Sequence, residues 1–249
     1  MNKKDTSWGG VADWYEKHLS EDDSYHATVI LPNLLRLIDP KQDDNILDLA
    51  CGTGFFSKAF SDAGAHVIGV DIGAELVEKA KTYAPKAKFA VAPAHKLPMI
   101  ESASIDKISL VLAIQNIKEV KETLTECKRV LKKDGKLFIV MNHPAFRIPQ
   151  GSSWEWDSSG KQYRRIDQYL LEKTVQIAMH PGKKPGETTV SFHRSLQYYF
   201  KLLGNAGFAV TRLEEWISNR TSEVGPRKKE EDRLRKEIPL FLFLEAKVL

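Results

Sequence analysis

Cysteine is scarce in this 249-residue chain: Cys51 and Cys127 are the only two, with no CxxC pair or Cys/His cluster around them. That excludes a structural zinc site and a disulfide scaffold, and it suits a reducing cytoplasm. Long hydrophobic runs are missing too. Pro239 to Leu244 is far short of the roughly 20 apolar residues a membrane span needs, and the two lysines of MNKKDTSWGG precede no apolar run, so the start does not read as a signal peptide. Repeats and low-complexity tracts are absent. No charge sign dominates, since 37 Lys+Arg against 33 Asp+Glu leave a formal net charge of +4, and no dense basic stripe of the kind nucleic acid requires is visible. A soluble, cytoplasmic protein with no membrane, nucleic-acid or metal partner is expected. Its 42% hydrophobic and 28% charged residues are ordinary for a globular chain long enough to bury a core without staples.

From Pro40 onward short β-type runs alternate with helix-type segments. Asn45–Ala50 (NILDLA), His66–Asp71 (HVIGVD), Lys88–Ala92, Asp106–Leu112 and Lys136–Met141 are strand candidates, the last entered through a Lys132–Gly135 turn. Phe55–Ala63, Ala74–Tyr83 and Val120–Leu131 are the helices between them, the third with Leu124, Cys127, Val130 and Leu131 on one face. This rhythm predicts an α/β, Rossmann-like doubly wound, mostly parallel seven-stranded sheet with helices on both faces. Ligands of such sheets bind at the rim where the strands end.

The rhythm breaks after Met141. Residues 144–194 hold Pro144, Pro149, Pro181, Pro185, Gly151, Gly160, Gly182 and Gly186 together with Trp154, Trp156, Tyr163 and Tyr169. So irregular and aromatic a stretch is expected to be an inserted lid over the rim. A helix over Ser195–Leu203, two strands at Phe208–Trp216 and Leu240–Val248, and a solvated helix or loop at Arg227–Glu237 complete the chain. The whole reads as one domain over 1–249. It has an N-terminal helical cover (1–39), a ligand-binding core (40–143), the lid (144–194) and a C-terminal helix with a strand hairpin (195–249).

The informative segment is Ile46-Leu47-Asp48-Leu49-Ala50-Cys51-Gly52-Thr53-Gly54. A strand ends, two glycines let backbone approach a ligand, and a helix begins with its N–H groups facing that ligand. Asp71 closes the next strand 19 residues after Gly52, where an acid can accept from both ribose hydroxyls of a nucleoside. Ser57 stands where a dinucleotide fingerprint has its third glycine. Asp48 sits awkwardly beside a pyrophosphate but well beside a sulfonium ligand with a free amino group, so charge complementarity favours S-adenosylmethionine over NAD. No Tyr-x-x-x-Lys pair supports a reductase. Cys51 reads as a small loop residue rather than a nucleophile.

The chain resembles the class I S-adenosylmethionine-dependent methyltransferases of small molecules. ILDLACGTGFFS, VIGVDIGAELVEKA, the strand from Asp106, Cys127-Lys128-Arg129-Val130-Leu131 and Asp134-Gly135-Lys136-Leu137 carry the resemblance over residues 40–143, with Asn205-Ala206-Gly207-Phe208 matching more loosely. The resemblance implies a cofactor site of Asp48 near the methionine amino group, Ala50, Cys51, Gly52, Thr53 and Gly54 in the loop, and Asp71 on the ribose. Ile72 and Leu76 would line the adenine, and Ala94, His95 and Leu112 complete the set. Pro93 replaces the acid that usually meets the adenine amino group, and Gln115-Asn116 stand where the family often has two histidines.

On the acceptor side His143 and His193 are candidate bases, with positioning or capping as the alternative for each. Gln115, Asn116, Trp154, Arg164 and Arg194 are candidate substrate contacts. Trp154, Trp156, Tyr163 and Tyr169 suit either an acceptor pocket or a local core. Trp14, Tyr15, Tyr25 and His26 suit either a cofactor cover or plain packing. The excess of eight bases over five acids in 144–194 fits a solvated surface or an anionic small acceptor. Methylation of O, N or C of a small acceptor is the leading expectation. RNA or protein methylation and a non-catalytic cofactor-binding module are the alternatives.

Overall fold

The computed structural model describes residues 23–178 and 188–249. Trp14, Tyr15, Pro181, Gly182, Pro185 and Gly186 lie outside them.

Strands β1 (Asn45–Leu49), β2 (His66–Asp71), β3 (Lys88–Val91), β4 (Ile105–Val111) and β5 (Leu131–Asn142) pair in parallel, and β11 (Phe241–Val248) runs antiparallel between β5 and β10 (Phe208–Trp216). The order across the seven-stranded sheet is β10-β11-β5-β4-β1-β2-β3. It reverses direction of growth at β1 and β4, so the rim above their C-terminal ends is the place for a ligand.

Alternation along the strands splits the core into two layers. Leu47, Ile108, Leu137, Ile139, Leu242 and Leu244 face one side, and Ile46, Phe138, Val140, Phe241 and Phe243 the other. Helices α4 (Val120–Val130) and α5 (Leu196–Asn205) close the first layer through Leu124, Cys127, Tyr199 and Leu203. Helix α1 (Leu31–Ile38), entered through a π-type turn at His26–Ile30, closes the second together with α2 (Phe55–Asp62). Ile30, Leu34 and Ile38 recur every four residues, which keeps one stripe of this N-terminal segment buried. Helix α3 (Ala74–Tyr83) buries Leu76, Val77 and Ala80.

Two expectations needed revision. The Lys132–Gly135 turn is part of β5, which starts at Leu131 and absorbs the extra residues as a register shift against β4 between Ile105 and Lys107. Gly135 is there for close packing, since a Cβ would stand 2.8 Å from Leu131 Cδ2. The lid is more regular than its composition suggested: β6 (Ser152–Trp156) pairs with β7 (Gln162–Ile166), and β8 (Lys173–Ala178) with β9 (Thr188–His193), both antiparallel. The first hairpin turns through Gly160 at φ +79°, with Asp157 Oδ1 accepting from the Ser159 and Lys161 N–H groups. The charge-rich segment is helix α6 (Lys228–Glu237), laced by Arg233 between Glu230 and Glu237.

Gly69 in β2 is the point where the fold touches the glycine loop. A Cβ there would lie 2.4 Å from Phe89 Cε1 and 3.0 Å from Cys51 Sγ. Gly69→Ala should therefore destabilise the protein by about 1–3 kcal/mol through overpacking; urea denaturation with an unchanged midpoint would contradict this close approach.

Candidate functional site

The loop after β1 is bent by three residues in the left-handed region, Ala50 (φ +58°), Gly52 (φ +55°) and Gly54 (φ +83°). Glycine carries that conformation without penalty; alanine does not. Leu112, one strand over at the end of β4, is also left-handed at φ +51°. Two strained non-glycine residues thus flank the mouth between β1 and β4, a pattern that accompanies ligand sites. Gly54 also allows close approach of α3, with a built Cβ only 3.1 Å from Ala80 Cβ.

Asp71 ties this loop to the next one. Its Oδ2 accepts the Gly52 N–H at 2.9 Å and its Oδ1 the Gly73 N–H at 2.8 Å. Burial raises its pKa, and these two backbone bonds oppose the rise. Asp48 is deeper, only 1% exposed, and Oδ2 accepts the Ser57 hydroxyl at 2.6 Å. Its pKa is pushed up to about 7, first by burial and further by the Asp71 charge, against hydrogen bonding from Ser57. Ser57, which in the sequence only marked an incomplete fingerprint, therefore orients the buried acid. Asp48's register partner on β4 is Ser109, whose buried Oγ has no hydrogen-bond partner.

The remaining expected cofactor residues gather at the same rim with different exposure. Ile72 is 51% exposed beside Asp71, an open apolar face, while Leu76 is buried under Gly73 as core. Thr53 and Cys51 are buried, and desolvation first, with the two acids after it, raises the Cys51 thiol so that it stays protonated. Ala94 and His95 sit in a turn closed by the Lys96 N–H on the Pro93 carbonyl at 3.0 Å.

The expected acceptor contacts divide. Gln115 Nε2 and Asn116 Nδ2 both donate to the Leu112 carbonyl, at 2.6 and 3.4 Å, so they brace the strained residue; Gln115 Oε1 is buried without a partner. Arg194 is likewise turned to main chain, donating to the Ile117 and Lys118 carbonyls at 2.8 and 3.1 Å. His143 is 1% exposed and fully engaged: Nδ1 accepts the Ala145 N–H at 3.2 Å and Nε2 lies 2.7 Å from Glu215 Oε1. Burial lowers its pKa despite Glu215. A neutral ring with Nε2–H donating to Glu215 has no spare lone pair, so this arrangement withholds the base role expected of it. His193 Nε2 donates to the Tyr169 carbonyl at 2.8 Å, which leaves Nδ1 as the acceptor nitrogen.

Trp154 and Arg164 belong to a separate cleft of ≈ 410 Å³ between the turn after β5, the β6–β7 hairpin and α6. Tyr25 reaches this cleft, while the next residue, His26, packs on Phe55 and Phe56 at the start of α2. The same segment therefore borders both regions. Sequence reasoning missed Ser57, Glu215 and Arg147, the last also in this cleft; the only signal for any of them was Ser57's place within the loop motif.

Residues 47–139 match the profile of a family described as a methyltransferase domain. The match spans β1 to β5 and so includes the glycine loop, Asp48 and Asp71. Similar proteins include a demethylmenaquinone methyltransferase from Renibacterium salmoninarum, 33% identical over 102 residues covering 41% of this chain and 43% of that one. A ubiquinone/menaquinone biosynthesis C-methyltransferase from Campylobacter jejuni is 34% identical over 107 residues, 40% of this chain and 45% of that one. The chain thus aligns with less than half the length of these relatives. Among solved structures, an S-adenosylmethionine-dependent methyltransferase from Mesorhizobium loti superposes with a TM-score of 0.71 at 24% identity, covering 86% of this chain and 95% of that one. The seven-stranded Rossmann-like fold is therefore shared with that structure. No helix among the described residues is long and apolar enough to cross a membrane, and among them no group of three or more His, Cys, Asp or Glu is placed to hold a metal ion.

Asp48 gives the protein a pH signature. Its folded pKa of about 7 lies above the ordinary 3.8, so the native state keeps a proton that the unfolded chain has lost. Its contribution to stability is complete below about pH 4 and disappears as pH rises through 7. Asp48→Asn should flatten that part of the profile and be more stable than the parent above pH 8, by about 1–4 kcal/mol. Parallel stability profiles of the two proteins between pH 4 and 8 would contradict a buried acid of this kind.

Proposed function

We propose that this chain is an S-adenosylmethionine-dependent methyltransferase that methylates O, N or C of a small, anionic acceptor in the cytoplasm. The observation that carries the reading is Asp48, a buried acid poised near neutrality behind a left-handed glycine loop and braced by Ser57. A cation seated there would draw the proton off Asp48, which a pyrophosphate could not do. The unpaired Ser109 Oγ beside it also fits a polar ligand. The named quinone methyltransferases support the reaction class, but the matched segment, 47–139, holds none of the residues lining the cleft beside β5. The unpaired Cys51 and Cys127 suit a reducing compartment.

When bound, S-adenosylmethionine supplies a sulfonium methyl group that is already activated toward displacement, so the protein's task is alignment and exclusion of water. In this reading Asp48 faces the methionine ammonium and Asp71 offers its remaining lone pairs to the ribose hydroxyls. Ile72 covers one face of the adenine, and the backbone at Ala94 and His95 takes the place of the acid that Pro93 replaces. His143 is a positioning residue that fixes the turn after β5. His193, the other histidine expected as a base, keeps Nδ1 as its acceptor nitrogen but does not line the cleft beside β5.

Calorimetric titration with S-adenosylhomocysteine, with NADH as control, tests this. Micromolar binding of the first alone is expected. Asp71→Ala should weaken it by about ten- to a hundredfold, because ribose hydroxyls and the Gly52 and Gly73 N–H groups lose their acceptor. Tight NADH binding, or Asp71→Ala binding like the parent, would overturn the assignment. Below pH 7 uptake should release a proton from Asp48, read as a buffer-dependent heat.

A further inference from the structure

The cleft beside β5 holds a guanidinium with nothing to bind. Arg129 pairs with Glu126, Arg233 with Glu230, and Arg194 with two carbonyls. Arg164 is spoken for in part, since Nε donates to the Phe146 carbonyl at 2.8 Å and its guanidinium lies 4.8 Å over the Trp154 ring. The Arg147 guanidinium has no hydrogen bond or ion pair among the described residues and only overlies the Phe241 ring at 5.7 Å, while its backbone N–H donates to the His143 carbonyl. Three arginines, Arg147, Arg164 and Arg235, line the cavity against one acid, Glu231.

This arrangement is electrostatically incomplete. The cleft walls desolvate Arg147 and lower its pKa, and they do the same to Arg164, which also feels the charge of Arg147. Both stay protonated at neutral pH, so two like charges share a partly dry cleft in which neither forms an ion pair, although Glu231 also lines it. An oxyanion between them would remove that repulsion and accept charge-assisted hydrogen bonds from planar donors. The rest of the wall is suited to a ring: Tyr25, Phe146 and Trp154 border a space of ≈ 410 Å³, within the range of small-ligand pockets. Location agrees as well. Arg147 lies five residues beyond Asn142, where β5 ends on the ligand-binding rim, and its neighbour strand β4 leads to Leu112.

We infer that this cleft is the acceptor pocket and that it takes an aromatic acceptor bearing a carboxylate or a phosphate monoester, gripped by Arg147 and Arg164. The assignment as an acceptor rests on the methyltransferase reading above. Arg147 sets the specificity for the anionic group and Trp154 bounds the ring.

Nuclear magnetic resonance titration of ¹⁵N-labelled protein tests it, with and without S-adenosylhomocysteine. The probe is the indole N–H resonance of Trp154, assigned through Trp154→Phe. Benzoate and phenyl phosphate should give saturable shifts at millimolar concentration, and neutral benzamide should bind about tenfold more weakly or not at all. The stronger of the two anions tells carboxylate from phosphate. Arg147→Gln, with unchanged thermal unfolding and unchanged S-adenosylhomocysteine affinity, should lose about tenfold in anion affinity, and Arg147→Lys should recover part of it. Benzamide binding as well as benzoate, or undiminished anion binding by Arg147→Gln, overturns the inference. Cofactor uptake without anion binding overturns this inference alone, whereas anion binding without cofactor uptake overturns the methyltransferase reading and the word acceptor with it.

Discussion

Two backbone N–H groups from different loops, those of Gly52 and Gly73, converge on the single carboxylate of Asp71. Through them the turn after β1 is locked to the turn after β2, and the left-handed path of Ala50, Gly52 and Gly54 has a fixed outer anchor. Everything that makes the rim a site follows from that lock. It holds α2 in place so that Ser57 can reach Asp48, and it leaves Ile72 standing open beside the acid. A carboxylate has about four lone-pair positions, so loop closure and ligand binding are compatible uses of one side chain.

Two buried acids so near each other are a costly arrangement for a fold to keep. Each is desolvated, and Asp71 raises the pKa of Asp48 further. A core optimised only for stability would hold an apolar residue at the Asp48 position, between Leu47 and Leu49 in a fully buried strand. The same electrostatic logic appears with opposite sign in the cleft after β5, where Arg147 and Arg164 share a wall with one acid, Glu231, and neither is ion-paired. One end of the rim calls for a cation and the other for an anion. A reaction between a cationic methyl donor and an anionic acceptor suits that polarity.

The sheet was legible because its signals are local. Short apolar runs, as in Leu137 to Met141, and helix stripes such as Leu124 with Cys127 name their own elements, and the spacing from Gly52 to Asp71 marks the rim. The lid hairpins were obscured because their aromatic and Gly/Pro content dominated the Asp157–Gly160 turn chemistry and the alternation around Trp154. Side-chain roles on the acceptor side were hidden for a different reason. His143 meets Glu215 across 72 residues, and Arg194 reaches Ile117 across 77. Such pairs depend on how β10 and the β9–α5 junction dock, which no single segment encodes.

Ala50 and Leu112 each hold a conformation that costs a non-glycine residue about 1–3 kcal/mol. A glycine at either place would relieve the native strain, yet it would also enlarge the conformational freedom of the unfolded chain by about 0.4–1 kcal/mol. The two effects pull in opposite directions, so thermodynamic stability discriminates only weakly between the residues at these positions. What differs is the spread of native loop conformations. A side chain at Ala50 or Leu112 restricts the alternative backbone paths open to the loop, so the rim spends more of its time in the one shape that admits a ligand. In this fold, mild local discomfort is a form of preorganisation.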